Sequence, residues 1–491
     1  MKLFYTLIFL IVLSLPSKSQ QFIWANSYDI SNSNEVAALA IDINGNTIIS
    51  GVHNASAFLP YTGNCYIHKT NQEGDAIWTE YMLGDIQIGD MATIENSIVI
   101  IGQSNGAFSF QGEQYGGLEP FLFLMKIDSD GNLQWFHMDE TKYGANTNLQ
   151  VGEQGNIAIQ VRGQFNLGDW IWIMDTDGNI LNTKEISATQ SMIVDLAYFN
   201  DKVYLNGGFS GPSSIIIDTV FMPLPNIESA TFVLALNEEL IAEWASVDTT
   251  INNRDGRIEV NSSGIFVYEE VLNPPFNLIS AMKKFSFDGE LLIEVKAPVF
   301  SNAISLYPDM SLTSNSLGLM VENDFNFNSH KVMLFDLDLN LTSEKVIEGN
   351  SDLYTGQIAN NGNDFFIAHV FSGNLNFDNE VSLPYNGSGK LPYIARVQMP
   401  LVTAVPDILP TKEGLSVYPS PADKIITVRL SEKPSSPVNL NIIDLRGNKM
   451  IRETTSEMIT EIDISMLPSG VYIMNAILTN GKTLRKKILV R

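Results

Sequence analysis

The stretch Gln21–Asp29, QFIWANSYD, alternates like a β-strand but has no hairpin partner beside it. Its counterpart lies far downstream. Aligned on Asn132–Glu140, NLQWFHMDE, it puts Trp24 on Trp135, and by the same register on Trp78 and Trp244. In those places the tryptophan strand is the second half of a hairpin. Its first half and turn stand immediately upstream in Lys69–Trp78 (KTNQEGDAIW), Lys126–Trp135 (KIDSDGNLQW) and Ala235–Trp244 (ALNEELIAEW). Ile173–Asn182 (IMDTDGNILN), Lys284–Ile293 (KFSFDGELLI) and Phe335–Ser343 (FDLDLNLTS) repeat the pattern without the tryptophan. The turn positions Gly74, Gly131, Gly178, Leu240, Gly289 and Leu339 recur about every 50 residues. An Asp-Gly pair predicts a type I′ turn, whose two central residues need positive φ.

Upstream of each copy is another hairpin, with one copy more: ALAIDINGNTIISG, DMATIENSIVIIG, LQVGEQGNIAIQV, DLAYFNDKVYLNGG, IEVNSSGIFVYEE, MSLTSNSLGLMVE and GQIANNGNDFFIAHV. Each unit is then four strands, the size of a propeller blade. The seventh unit runs to LPYIARVQMP and stops where the others turn into their last strand. Gln21–Asp29 is read as that missing strand, pairing with the strand around Ile394–Val397 and leaving no open edge. The expected fold is all-β: a seven-bladed β-propeller over 20–400, closed by the N-terminal strand. These units resemble a family of bacterial secreted β-propeller repeats, nearest in GQSNGAFSFQGEQYGGLEPFLFLMKIDSDGNLQW.

The protein has 491 residues, 45% of them hydrophobic and 17% charged, with a formal charge of −26. That suits a large packed core. The charge is uneven: 411–491 holds 12 basic and 8 acidic residues, and 21–410 holds 15 and 47. So acidic a body repels nucleic-acid phosphates, which excludes DNA or RNA as a partner. Cys65 is the single cysteine, so no internal disulfide can form. Residues 1–19 read as a signal peptide: Lys2, an apolar run from Leu3 to Leu15, then Ser17 and Ser19 ahead of a cut between Ser19 and Gln20. No later segment has the length of a membrane span.

Several motifs mimic chemistry. Gly102–Gly106 (GQSNG) has the spacing of a nucleophile elbow, but AFSFQGEQYGG after it cannot form the required helix, so Ser104 is set aside. DSDGN and DTDGN resemble the opening of a calcium loop without its distal glutamate. A structural calcium is the one cofactor they hint at, and hairpin turns explain them better. His53, His68, His137, His330 and His369 are scattered, with no metal-ligand spacing. No catalytic constellation stands out, although Asp90, Asp139, Asp195 and Glu259 are candidate acids and bases for an extracellular polysaccharide hydrolase or lyase. Long connections such as Phe209–Ala230 are the expected ligand surface. Phe58, Phe108, Phe165, Phe209 and Phe371 near their starts read as wedges between units.

After a linker over 401–413 with Pro406 and Pro410, residues 414–491 read as a compact Ig-like antiparallel sandwich. Tyr418-Pro419-Ser420-Pro421-Ala422, the Asp444–Gly447 turn, Leu467-Pro468-Ser469-Gly470-Val471-Tyr472, Gly481 and the ending Lys486-Lys487-Ile488-Leu489-Val490 are its marks. They resemble the type A C-terminal sorting domain of the type IX secretion system. The resemblance implies passage through the periplasm, a partner in the outer-membrane translocon, and a passenger released or held at the cell surface, often after loss of the tail. The functional expectation is a non-catalytic binding or adhesion propeller with an unknown glycan or protein ligand; the alternative is the polysaccharide-degrading enzyme.

Overall fold

The computed structural model describes residues 21–30, 33–53, 62–142, 147–162, 168–186, 191–210, 215–223, 229–248, 256–273, 277–297, 308–322, 329–351, 356–377, 381–385, 389–398, 415–418, 424–430, 436–444, 449–468, 470–477 and 483–490. The signal-peptide reading, with Ser19 and Gln20, lies outside them, as do Phe58, Phe165, Gly481, the whole linker 401–413, 419–423 and residues 445–447 of the Asp444–Gly447 turn. The chain divides into two compact units, Met1–Pro400 and Leu401–Arg491.

Every described element is a strand. In the first unit the strands form four-stranded antiparallel meanders. The first comprises Ser33–Ile41, Thr47–His53, Gly63–Thr70 and the start of Ala76–Ile94. The 19-residue strand Ala76–Ile94 carries on as first strand of the second meander, with Ser97–Ser104, Phe121–Ile127 and Leu133–Asp139. The third runs Thr147–Val151, Ile157–Arg162, Asp169–Met174, Ile180–Ile186. The fourth is Ser191–Phe199, Lys202–Ser210, Ser229–Leu236, Ala242–Asp248. The fifth is Gly256–Asn261, Gly264–Asn273, Asn277–Phe285, Leu291–Ala297. The sixth is Asp309–Leu312, Ser316–Glu322, Ser329–Asp336, Leu341–Ser351. The last takes Gln357–Asn360, Asp364–Asn376 and Leu391–Gln398 from the end of the unit and Gln21–Ser27 from its start.

The orphan strand thus has its partner: Phe22 lies opposite Val397 and Trp24 opposite Arg396. Apolar residues on both faces of the middle strands pack successive meanders together. One core joins Val99, Ile101 and Leu124 to Leu149, Ile159 and Trp172; another joins Val36, Ile49 and Tyr66 of the first meander to Phe366, Val370 and Ile394 of the last.

The repeated turn differs from the type I′ expectation. Only one residue per turn has positive φ: Gly74 (83°), Gly131 (90°), Gly178 (85°), Gly289 (81°), and the substitutes Leu240 (60°) and Leu339 (61°). The first residue caps the loop. Asp128 Oδ1 accepts from the backbone N–H of Asp130 and of Asn132, both at 2.9 Å, and Gly131 N–H donates to Asp128 O. This is a three-residue loop closed by a left-handed residue and a bulge, seen as the register shift between Leu133 and Trp135. The side-chain cap holds the aspartate before glycine at negative φ, so the mirror-image turn is not needed. Two adjacent positive-φ residues do occur at Asn200-Asp201, in an upstream hairpin.

The turn glycine has a second reason. The tryptophan of the preceding meander lies over it, and a Cβ on Gly178 would sit 3.1 Å from the Trp135 ring. The indole N–H then donates to the carbonyl two residues before the glycine: Trp24 to Gln72 (3.2 Å), Trp78 to Ser129 (3.0 Å), Trp135 to Thr176 (3.1 Å) and Trp244 to Phe287 (2.9 Å). Lysines reinforce the clasp, Lys69 on Ser129 O and Lys126 on Thr176 O. Where isoleucine replaces tryptophan at 293, Lys284 alone reaches Leu337 O, at 2.8 Å.

Two outcomes follow for stability, measured by urea denaturation. Gly178→Ala meets both the positive φ and the indole, and should cost about 1–3 kcal/mol. Leu339→Gly restores the repeat and relieves about 1 kcal/mol of backbone strain. It also removes a side chain only 3% exposed, worth about 2–5 kcal/mol, so the glycine variant should be the less stable protein.

Candidate functional site

The acidic candidates separate into two groups. Asp139 ends an outlying strand, where its Oδ1 accepts from the N–H and hydroxyl of Thr141. Asp90, Asp195 and Glu259 instead come together on the first strands of their meanders, with Asp309, which sequence reasoning missed. Asp90 Oδ1 accepts from its neighbour Met91 N–H and Oδ2 from Leu149 N–H of the next meander, both at 2.7 Å. Asp195 repeats this with Leu196 and Ile258 N–H, both at 2.9 Å. Asp309 Oδ2 accepts from Ile358 N–H at 2.7 Å, and its Oδ1 lies 3.5 Å from Arg257 Nε. Each aspartate therefore ties an even meander to the odd one after it. A bulge just before Asp90 and another before Asp195 supply the turn of backbone that aims the carboxylate at the next meander. The signal was present as Asp-Met-Ala, Asp-Leu-Ala and Asp-Met-Ser at 90, 195 and 309.

Burial pushes the Asp90 carboxyl up to about 7, against the pull of its two N–H donors and with help from Asp195 and Asp309. Burial takes Asp195 to about 6, with Arg257 pulling it down. Glu259 is raised well above the usual range by burial and by Asp195, Asp309 and Asp90.

The remaining motifs are structural. Ser104 ends its strand and donates to Gly106 O at 2.6 Å. Cys65 is buried, its Sγ directed to Ile86 O. In the DSDGN turn both Asp128 oxygens receive Asn132 Nδ2–H, at 3.2 and 3.1 Å, so the oxygens a calcium ion needs are turned onto N–H groups. Among the described residues no group of three His, Cys, Asp or Glu could hold a metal. His330 and His369, far apart in sequence, stand with ring centroids 4.3 Å apart, both buried. Phe108, Phe209 and Phe371 are buried wedges. The described part of the long connection Phe209–Ala230 folds back: Ile215–Ile217 and Val220–Met222 form a hairpin that sends Ile215, Ile217 and Met222 into the core of the third and fourth meanders.

The second unit is two facing sheets, one of Leu415–Tyr418, Ile425–Leu430 and Ile459–Asp463, the other of Lys449–Thr455, Val438–Asp444, Gly470–Ile477 and Thr483–Val490. Its two terminal motifs are hydrogen-bonded neighbours. Gly470 pairs with Val490, Val471 with Leu489, Ile473 with Lys487 and Met474 with Lys486. Leu467 is buried, and Tyr472 OH donates to Pro468 O at 2.8 Å, which staples the Leu-Pro-Ser-Gly-Val-Tyr bend. Lys486 is exposed.

The titrating groups predict a pH optimum for stability. Asp90 and Glu35, both raised to about 7 by burial, favour the protonated folded state. Their contribution is complete below the unfolded value near 4 and is lost as pH rises through about 7. The buried imidazoles of His68 and His369 are pushed down by burial; their contribution is present above the unfolded value near 6.5 and is lost as pH falls. Urea midpoints should peak near pH 6 and decline by pH 8. A steady rise from pH 6 to 8 contradicts the carboxylate assignment.

Residues 416–491 match the family model of the secretion system C-terminal sorting domain. Among curated proteins no sequence matches this chain. Solved structures with a propeller-like fold do. A polysaccharide lyase, Uly1, is 6% identical with a TM-score of 0.47, covering 78% of this chain and 93% of its own. A neuraminidase-like protein of a little yellow-shouldered bat isolate is 9% identical with a TM-score of 0.38, covering 77% of this chain and 100% of its own. These likenesses concern fold and carry nothing about activity. Among the described residues no helix is long and apolar enough to cross a membrane. The protein is exported by way of a type IX C-terminal sorting domain, to the cell surface or the medium.

Proposed function

We propose that the chain is a non-catalytic binding module: a closed seven-bladed propeller over 20–400, exported behind a signal peptide at 1–19 and joined by a linker at 401–413 to the sorting domain. Ring closure is supported by the paired first and last strands and by three bonds from the N-terminal strand region to the first meander's turn. These are Trp24 Nε1–H to Gln72 O, Asn26 Nδ2–H to Gly74 O and Tyr28 OH to Gly74 O. A sheet completed by both chain ends leaves neither as an open edge.

The observation that carries the non-catalytic reading is the use made of the central carboxylates. Both oxygens of Asp90 and of Asp195 accept backbone N–H groups. An acid or base in glycoside cleavage must instead reach the substrate oxygen or a water. These aspartates hold the frame, and the ligand surface belongs to the meander seams and connections, with a glycan or protein as ligand.

A glycan array with the mature protein, followed by a hydrolase and lyase screen, tests the reading. Capture without turnover is expected; sustained polysaccharide cleavage would replace it with the enzyme reading. For the sorting domain, Leu467, Pro468, Gly470, Val471, Tyr472, Gly481, Lys486, Lys487, Leu489 and Val490 are the proposed address read by the translocon. Deleting 486–491 removes most of the last strand and should leave a folded propeller in the periplasm. Normal surface delivery of that deletion on cell fractionation would rule the address out.

A further inference from the structure

Among the described residues, the connection between second and third strands folds into a short hairpin in three meanders. These are Phe108–Phe110 with Glu113–Tyr115 in the second, Ile215–Ile217 with Val220–Met222 in the fourth, and the end of Asp364–Asn376 with Ser382–Leu383 in the last. The three are equivalent. In each, the inward residues fill the core shared with the preceding meander: Phe108 and Phe110, then Ile215, Ile217 and Met222, then Leu375, Phe377 and Leu383. The second and fourth are moored alike. Gln111 and Asp218 both have φ of 52°, and their side-chain oxygens accept from the backbone N–H of Leu133 (3.4 Å) and Ala242 (2.7 Å), each two residues before its tryptophan.

Their outward faces differ. The outward cross-strand pair is Ser109 and Gln114 in the second meander and Asn376 and Ser382 in the last. In the fourth it is Ile216 and Phe221, 66% and 59% exposed. A second departure stands beside the first. Three residues before the tryptophan position the other meanders have Asp75, Asn132, Asn179, Glu290, Asn340 and Gln21. The fourth has Ile241, 51% exposed and next in the chain to the Ala242 that Asp218 holds. The same hairpin and the same strand start therefore form with polar residues elsewhere in this chain, so folding does not require these apolar side chains. Grouped apolar side chains left in water mark a surface that another molecule covers.

Size and charge select the occupant. The three side chains expose roughly 300 Å² of apolar surface, well short of the ~800 Å² per partner in a stable complex. A two-fold axis doubles that core and needs only one surface that fits itself. The result is a small, reversible contact. Residues 21–410 hold 47 acidic and 15 basic residues, so two copies repel over most of their surface. At this joint Lys184 Nζ stands 2.7 Å from Asp218 Oδ2, with the two side chains 16% and 31% exposed, and neutralises the carboxylate nearest the pair. Two acidic bodies can meet there. An anionic lipid surface is broad and would also meet the acidic rim around the hairpin, whereas a second copy touches the hairpin alone. We propose that Ile216 and Phe221, with Ile241 at their margin, are the core of a two-fold interface through which two copies of this chain pair. Ile216 of one copy lies against Phe221 of the other, an aromatic on a β-branched side chain.

Sedimentation velocity of the mature full chain at physiological ionic strength tests this. Wild type should pass from monomer to dimer with a dissociation constant on the order of 10–100 µM. The double variant Ile216→Ser with Phe221→Gln installs the pair of the second meander's hairpin; it should keep its melting temperature and dimerise at least tenfold more weakly. Ile216→Lys and Phe221→Glu, made singly, should each stay monomeric alone and associate when mixed in equal amounts, because a two-fold contact then sets the lysine of one copy against the glutamate of the other. A wild type that stays monomeric, a double variant that dimerises like wild type, or a mixture that does not associate overturns the interface. If the double variant fails to fold, the mixture decides alone. A monomeric wild type whose capture on a glycan array, or on phosphatidylcholine vesicles, is lost in the double variant gives the patch to that ligand instead and equally overturns it. The inference is independent of the binding-module reading, which the array and the turnover screen test separately.

Discussion

The indole N–H of each tryptophan in the repeat register ends on a backbone carbonyl in the next meander's turn, and that turn can receive the ring only where its left-handed residue has no side chain in the way. Trp78, Trp135 and Trp244 lie over Gly131, Gly178 and Gly289 in this manner, and Trp24 over Gly74. One contact thus couples a local dihedral requirement to the stacking of separate sheets. It also explains why glycine and tryptophan recur together although they sit in different meanders. Where the clasp is absent the joint is held otherwise. At the third-to-fourth seam Asn182 stands in the tryptophan position and reaches Glu238 O at 3.5 Å, while the Lys184–Asp218 ion pair bridges nearby.

A second set of ties operates on the opposite side of each sheet, among the first strands. The aspartates at 90, 195 and 309 accept N–H groups across every second joint, and Asn148 Nδ2–H donates to Val194 O across the joint from third to fourth meander. Grouping several carboxylates in one region raises their proton affinity. That shift resembles the electrostatics of a catalytic centre. At Asp90 and Asp195 both oxygens face amide hydrogens, while Asp309 shares its carboxylate between Ile358 N–H and Arg257.

With both margins of the sheets fixed, the seams between them are where side chains can vary. The seams are filled mainly by apolar residues, with lysines such as Lys69 and Lys126 crossing at the turns. The fourth-to-fifth seam keeps Lys283 between Asp248 and Glu269 beside a cavity, and the rigidity of the frame is what allows such a group to be held without collapse around it. Connections that promised a broad binding face are partly consumed in covering the sheets, as Ile215, Ile217 and Met222 do.

The amino-acid order by itself determined the strands, the unit of four, the register of Trp24 and the sorting motifs at the C-terminus. All of these follow from short-range rules: side-chain alternation, the dihedral freedom of glycine and the spacing of a repeat. Other features came from the tertiary structure alone. Asp128 caps its own loop, so the Asp-Gly turns are not mirror-image turns. Leu240 and Leu339 take glycine's place because their side chains are buried, 1% and 3% exposed. Asp309 joins Asp90 and Asp195, and Lys283 faces Asp248 of another meander. Each depends on which strand lies across a seam, a neighbour tens of residues away in sequence that only the stacking of meanders brings into contact.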